Sequence, residues 1–177
     1  DRIGGIIFSE HVHHEIKPLR GKSGVLHLIK NLSDHPAWDQ SPPSGNNIQA
    51  GARALMRLRR VARPGSLIFL LSDFRHFDET ARSQLVRISQ HNDVAMIFIH
   101  DPLEEKLPRS GRYRLSNGLR EVVIDTYDRQ FVDDYSKQFA AHREQLERLS
   151  RTHRINLLMC STTDDPFQIL YQGLCSR

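Results

Sequence analysis

The sequence predicts an α/β fold, a doubly wound and mostly parallel sheet with helices on both faces. Three observations carry that prediction. Short apolar runs, Ser66 to Leu71, "DVAMIFIH" from Asp93 to His100 and "INLLMC" from Ile155 to Cys160, read as strands covered by other elements. Segments with apolar residues at helical spacing lie between strands, the alternation that parallel sheets require. The length of 177 residues suits one domain with a sizeable core, and no repeat, low-complexity tract or internal boundary divides it.

In chain order, "IGGIIFS" (Ile3 to Ser9) is a buried strand. "HVHHEIKP" (His11 to Pro18) alternates more loosely, as an edge strand that pairs with the first in a hairpin and ends in Pro18. Val25, Leu28, Ile29 and Leu32 recur at helical spacing across Ser23 to Leu32. Ser33 to Asn47 is a loop rich in Pro, Ser and Asn. A helix from Ile48 to Ala62 sets Ile48, Ala52, Leu55 and Leu58 opposite Arg53, Arg57 and Arg60, and Pro64 and Gly65 stop it. After the strand Ser66 to Leu71, Asp78 is placed to cap a helix carrying Ala81, Leu85 and Ile88 inward. The strand Asp93 to His100 follows.

Between Gly111 and Thr126, Asn117-Gly118 separates two alternating segments. Both residues tolerate the positive φ of a hairpin turn, so Tyr113 and Leu115 are expected on one strand and Val122, Val123 and Ile124 on the other. A long helix from about Asp128 to Arg151 presents Phe131, Tyr135, Phe139, Leu146 and Leu149 to the core. After the last strand, Asp165 and Pro166 occupy the cap and first turn of a closing helix.

Composition narrows the function classes. Hydrophobic content of 38% with 26% charged residues is that of a soluble globular chain. No segment approaches the roughly 18 consecutive apolar residues of a membrane span, and no signal sequence opens the chain. There is no initiator Met, and Asp1-Arg2 runs straight into a strand, so the chain reads as a fragment whose upstream membrane anchor, if any, lies outside it. Cys160 and Cys175 form no C-x-x-C pair, which suits a reducing, cytoplasmic location. A net charge of +4, with arginines on one helix face and no aromatic platforms between them, gives no expectation of nucleic-acid binding.

Open parallel sheets place their sites at the carboxyl ends of the strands. Four segments meet that rule: Ser72-Asp73, His100-Asp101, Ser161-Thr162 and the loop ending Gly45-Asn46-Asn47. Ser72 lies in L-L-S-D-F, not in a G-x-S-x-G elbow, and no Walker loop or G-x-G-x-x-G occurs. Cys160 ends an apolar strand and reads as a structural thiol. Catalysis is therefore the weaker class. His11 and His13 point the same way on a strand and with His14 suggest Zn²⁺ or Cu²⁺, but no second cluster supplies further ligands, so a polar edge strand is preferred. Hard cations fit better: Asp73, Ser72, Asn46 and Asn47 are oxygen ligands on segments such a sheet brings together, with Asp101 close by.

At these residues the chain resembles a known family. "DRIGGIIFSE", "IKPLRGKSGVLHLI", "SGNNIQAGARAL", "LIFLLSDF", "HNDVAMIFIHDPLEEKLP", "VVIDT" and "STTDDPFQIL" resemble, in consistent order, the bacterial domain of unknown function 58. That family is similar to von Willebrand factor A domains, which are Rossmann-like, and is linked with MoxR-type AAA+ ATPases. The resemblance implies a single von Willebrand A-like domain over residues 1–177, lacking its first strand, and a bacterial protein–protein interaction module without catalytic activity. It places Asp73 on the last Asp of a metal-ion-dependent adhesion site for Mg²⁺ or Mn²⁺ and Asn46 on a Thr position of that site. The D-x-S-x-S element is absent, so the site is incomplete, with Asp73, Asn46 and Ser72 as its metal residues and Asn47 and Asp101 as binding residues. The alternative is a metal-dependent hydrolase using Asp73 and Asp101. The absent strand would lie between Ile3–Phe8 and Ser66–Leu71, so those two are expected either to pair directly or to leave an edge through which a second copy makes a homodimer.

These residues predict no tightly held Mg²⁺. Asp73 and Asn46 supply at most two protein oxygens, whereas Mg²⁺ demands a near-octahedral set and releases water reluctantly. Titration calorimetry on the chain should show no micromolar Mg²⁺ binding; such binding, lost in Asp73→Ala, would overturn the expectation.

Overall fold

The computed structural model describes residues 1–9, 13–36, 49–75, 77–108, 110–116 and 121–175. Its elements are β1 (Arg2–Phe8), β2 (His13–Arg20), α1 (Gly21–Ser33), α2 (Ala50–Val61), β3 (Leu67–Ser72), α3 (Glu79–Ser89), β4 (Asp93–His100), α4 (Pro102–Glu105), β5 (Arg112–Ser116), β6 (Glu121–Asp125), α5 (Arg129–His153), β7 (Asn156–Ser161) and α6 (Pro166–Cys175). They form two compact units, Asp1–Ala62 with His76–Arg87, and Arg63–Arg75 with Ile88–Arg177. The architecture is mixed α/β and compatible with a Rossmann-like fold, built on a parallel sheet ordered β3-β4-β7.

In the first unit β1 and β2 pair antiparallel, as the alternation predicts, but β2 does not stop at Pro18. The register steps from Ile3↔Leu19 to Gly5↔Ile16, so Lys17 and Pro18 together oppose Gly4. A bulge of this kind accommodates a residue that has no N–H for the ladder. Gly4 is what permits it, because a Cβ there would stand 2.8 Å from the Ile16 carbonyl oxygen. Helix α1 packs on both strands and α2 on β1. The buried residue of α1 is Gly24, where a Cβ would lie 2.6 Å from the Leu19 carbonyl oxygen. This close approach seats the glycine side of α1 on the hairpin and leaves Val25, Leu26, Ile29 and Leu32 exposed. Periodicity located the helix correctly, but most of its aliphatic stripe faces away from the core. In α2, Ala52 and Leu55 are buried while Arg53, Arg57 and Arg60 are exposed, as expected.

The second unit is organised by β4, which pairs with β3 on one side and β7 on the other, both parallel. Val94 through Phe98 are buried as a continuous run, as the sequence predicts. β3 behaves differently. Ile68 and Leu70 are buried, whereas Leu67, Phe69 and Leu71 are exposed. A run that reads as doubly covered is here the edge of the three-stranded sheet, with one face open. Among the described residues of each unit, β1 pairs with β2 and β3 with β4.

The remaining expectations divide in the same way. Asp78 caps α3, its Oδ1 accepting from the Ala81 N–H at 2.7 Å, and Ala81, Leu85 and Ile88 are buried. Strands β5 and β6 pair with Tyr113 opposite Ile124 and Leu115 opposite Val122; the expected Asn117-Gly118 turn lies outside the described residues. Asp128 caps α5 by accepting from the Gln130 and Phe131 N–H groups. Leu146 and Leu149 are buried, but Phe131 at the other end of α5 is exposed. Asp165 caps α6 at the Phe167 N–H, 2.9 Å away.

The unequal burial of the two neighbouring strands has a measurable consequence. Phe98 is 1% exposed and Leu67 61%. Phe98→Ala should destabilise the protein by about 3–5 kcal/mol and Leu67→Ala by less than about 1 kcal/mol in denaturant unfolding. Comparable losses for both would show that β3 is covered on both faces.

Candidate functional site

The carboxyl ends of the parallel strands bring together three of the four segments that the sequence singles out. Ser72 is level with Phe98, and His100 with Ser161. The fourth segment, with Asn46 and Asn47, lies outside the described residues.

At the end of β3, Ser72 and Asp73 build a turn. Ser72 Oγ accepts from the Phe74 N–H at 3.0 Å, and Asp73 Oδ1 accepts from the Arg75 N–H at 3.3 Å. Phe74 takes φ 50°, a left-handed conformation that costs a bulky residue about 1–2 kcal/mol. It is held there by burial, at 4% exposure, with its ring 6.5 Å from that of Phe98. From α5, His142 Nε2 donates to the Asp73 carbonyl oxygen at 3.0 Å, which assigns the ring proton to Nε2.

Arg75 then joins two carboxylates. Its Nη2 is 2.6 Å from Glu104 Oε2 on α4, and its Nε is 3.5 Å from Asp73 Oδ2. The Glu104 hydrogen bond pushes the guanidinium further up, outweighing partial burial, with the Glu104 and Asp73 charges acting in the same direction. Tyr135 adds a link from α5, donating to the Leu103 carbonyl oxygen at 3.1 Å; burial, followed by the Glu104 charge, raises its hydroxyl above the ordinary value.

At the end of β4, Asp101 is engaged separately. Its Oδ1 accepts from the Leu103 N–H and its Oδ2 from the Thr162 hydroxyl, both at 2.9 Å. The Thr162 N–H donates to the His100 carbonyl oxygen, closing β4 against the loop after β7. Beneath this loop the rings of Phe98, His100, Phe139 and His142 form one layer, with centroids 5.3 to 5.8 Å apart. His100 is buried, and its Nδ1 has no hydrogen-bond partner among the described residues.

The two candidate aspartates therefore bond different partners, Asp73 the N–H and guanidinium of Arg75 and Asp101 the Leu103 N–H and the Thr162 hydroxyl. Continuing the register, Asp73 follows the pair Ser72↔Phe98 and is level with Ile99, while Asp101 lies two residues, roughly 6–7 Å, further along. Ser72 and Asp73 are oxygen donors of the type Mg²⁺ or Mn²⁺ takes, but the Arg75 guanidinium stands where such a cation would compensate Asp73. The described residues do not by themselves fit a divalent ion. In the first unit, His13 opens β2 opposite Phe8 and is half-buried, its pKa lowered by burial and then by the charges of Arg57 and Arg53, an environment that disfavours a cation. His14 and His35 stand with ring centroids 6.0 Å apart beside a cavity of about 300 Å³ that His27, Lys30, Asn31 and Asp34 also line. His11 is outside the described residues, and among the described residues no group of three or more His, Cys, Asp or Glu is placed to hold a metal ion.

Arg75, Glu104 and His142 are the participants that sequence reasoning missed. Glu104 and His142 lie 29 and 67 positions beyond Arg75, and nothing in local spacing links them. Asp101-Pro102 did carry a signal, since Asp before Pro at a strand end is a cap pattern.

Comparison with known proteins adds the family context. The model of the family described as protein of unknown function DUF58 matches residues 1–145. The uncharacterized protein MAV169 of Mycobacterium avium is 31% identical over 115 residues, covering 64% of this chain and 68% of that protein. No solved structure matches.

The engaged state of Asp101 makes a pH prediction. The Leu103 N–H first, and then the Thr162 hydroxyl, hold its carboxyl below the ordinary value by bonding the ionised form. A depressed carboxyl contributes stability above its unfolded pKa and loses it as pH falls through the lower folded value. Carboxyl ¹³C titration should thus place Asp101 below its ordinary 3.8, and Thr162→Val should move its midpoint upward. A midpoint at or above the ordinary value would show that the Leu103 N–H and Thr162 bonds do not hold the carboxylate in solution.

Proposed function

The chain belongs to the family of protein of unknown function DUF58, and from that premise we propose that it is a protein–protein interaction module rather than an enzyme. Its relative is itself uncharacterized, so the reading rests on the site. The observation that carries it is the prior engagement of both strand-end carboxylates: Asp73 by Arg75, and Asp101 by Thr162 and the Leu103 N–H. A general base or nucleophile needs a free lone pair aimed at substrate. These groups instead stiffen loops, and a rigid loop surface at strand ends suits recognition.

The resemblance to von Willebrand A domains supplies the finer form of this reading, a module acting with a MoxR-type AAA+ ATPase. In that form, metal dependence would belong to a longer protein that supplies the remaining ligands, and Arg75 would leave Asp73 for Glu104 alone. A homodimer through β3 is the accompanying proposal, supported by its outer edge, which no strand among the described residues pairs with, and by the exposed Leu67, Phe69 and Leu71. The free thiol of Cys160 suits the cytoplasm, and among the described residues no helix is long and apolar enough to cross a membrane.

The test is a pull-down of the full-length protein from its own cells, with and without Mg²⁺. Retention of an AAA+ ATPase, weakened by Arg75→Glu, is the expected result. Metal-dependent hydrolysis of a phosphoester, lost in both Asp73→Asn and Asp101→Asn, would replace this reading with the hydrolase one.

A further inference from the structure

Helix α1 exposes an aliphatic face that its own unit does not cover. Val25, Leu26, Ile29 and Leu32 are 37%, 57%, 52% and 40% exposed, because Gly24 is the residue seated on the hairpin. Lys22 shares that face, three and four positions before Val25 and Leu26, and Lys30 lies four after Leu26. The helix sequence, GKSGVLHLIKNLS, contains no Asp or Glu. On the adjoining hairpin Arg2, Lys17 and Arg20 are exposed cations, against the exposed acids Asp1, Glu15 and, just after α1, Asp34.

Aliphatic residues bordered by lysines, without an acid in the helix, ask for an occupant that is apolar inside and anionic at its surface. A protein partner would ordinarily be gripped by Trp, Tyr or Arg anchors set in a cleft, and this face is a ridge of branched aliphatics with none. Lysine stems extend along apolar material while their ammonium groups stay at its polar boundary. At 13 residues α1 is about 20 Å long, too short to cross a hydrocarbon layer of about 30 Å, so it would lie along the surface.

We infer that α1 docks the first unit on an anionic lipid surface, with Val25, Leu26, Ile29 and Leu32 entering the acyl boundary and Lys22 and Lys30 meeting the headgroups. This inference does not depend on the strand-end site or its protein partner.

Vesicle flotation tests it, using phosphatidylcholine alone and phosphatidylcholine mixed with phosphatidylglycerol. The chain should float with the mixed vesicles, should not float with the neutral ones, and should release at high salt. Leu26→Ser/Ile29→Ser, at two positions that are more than half exposed, should lower partitioning roughly tenfold or more with an unchanged circular dichroism spectrum. Lys22→Glu/Lys30→Glu should lose the preference for anionic vesicles. Failure of the wild-type chain to float, or flotation that Leu26→Ser/Ile29→Ser leaves intact, would overturn the inference. Capture of an acidic protein through this face without lipid binding would do the same.

Discussion

β4 has a hydrogen-bonded neighbour on each side, and that constraint organises the second unit. A strand in this position must bury both faces, so Val94, Ala95, Met96, Ile97 and Phe98 are all apolar. Its parallel partners then release their chains at the same end of the sheet. Ser72-Asp73, His100-Asp101 and Ser161-Thr162 become neighbours in space because of that, although they are far apart in sequence. Phe98 carries the constraint into the site, touching Phe74, His100, Phe139 and His142 in one ring layer directly below the loops.

The polar chemistry above this layer is mainly local closure. Each strand-end carboxylate accepts from the backbone N–H two residues ahead, which satisfies a donor that a terminating strand would otherwise leave bare. Other contacts reach further, among them Arg75 to Glu104, Thr162 to Asp101 and His100, Tyr135 to the Leu103 carbonyl, and His142 to the Asp73 carbonyl. The Arg75 pairs are substantially exposed, so each contributes at most about 1 kcal/mol of stability. Their value is geometric. They hold a turn in which Phe74 occupies a conformation that a bulky residue rarely takes, and they set which carboxylate oxygens face outward.

The first unit obeys a different constraint, the close approach of backbones. Gly4 allows the bulge that absorbs Pro18, and Gly24 allows α1 to rest on the Leu19 carbonyl. With glycine as the contact, the bulky residues of α1 are directed away from the hairpin. Burial lowers the pKa of His13, and the charges of Arg57 and Arg53 on α2 lower it further.

The sequence by itself determined the element types and most boundaries, because strand runs, helical spacing and Asp caps are local patterns. Asp78 and Asp165 cap the helices that their positions announce, and the Tyr113–Ile124 pairing agrees with the alternation around Asn117-Gly118. It also marked Ser72, Asp73 and Asp101 as strand-end residues. What it could not determine was exposure and partnership. An apolar stripe looks alike whether it faces a core or solvent, so Leu67, Phe69 and Leu71, and Val25, Ile29 and Leu32, read as interior and stand exposed. Nor does any local pattern link Arg75 to Glu104 or Asp101 to Thr162. Those pairings exist because parallel strands end together, and only the tertiary structure decides which strands are neighbours.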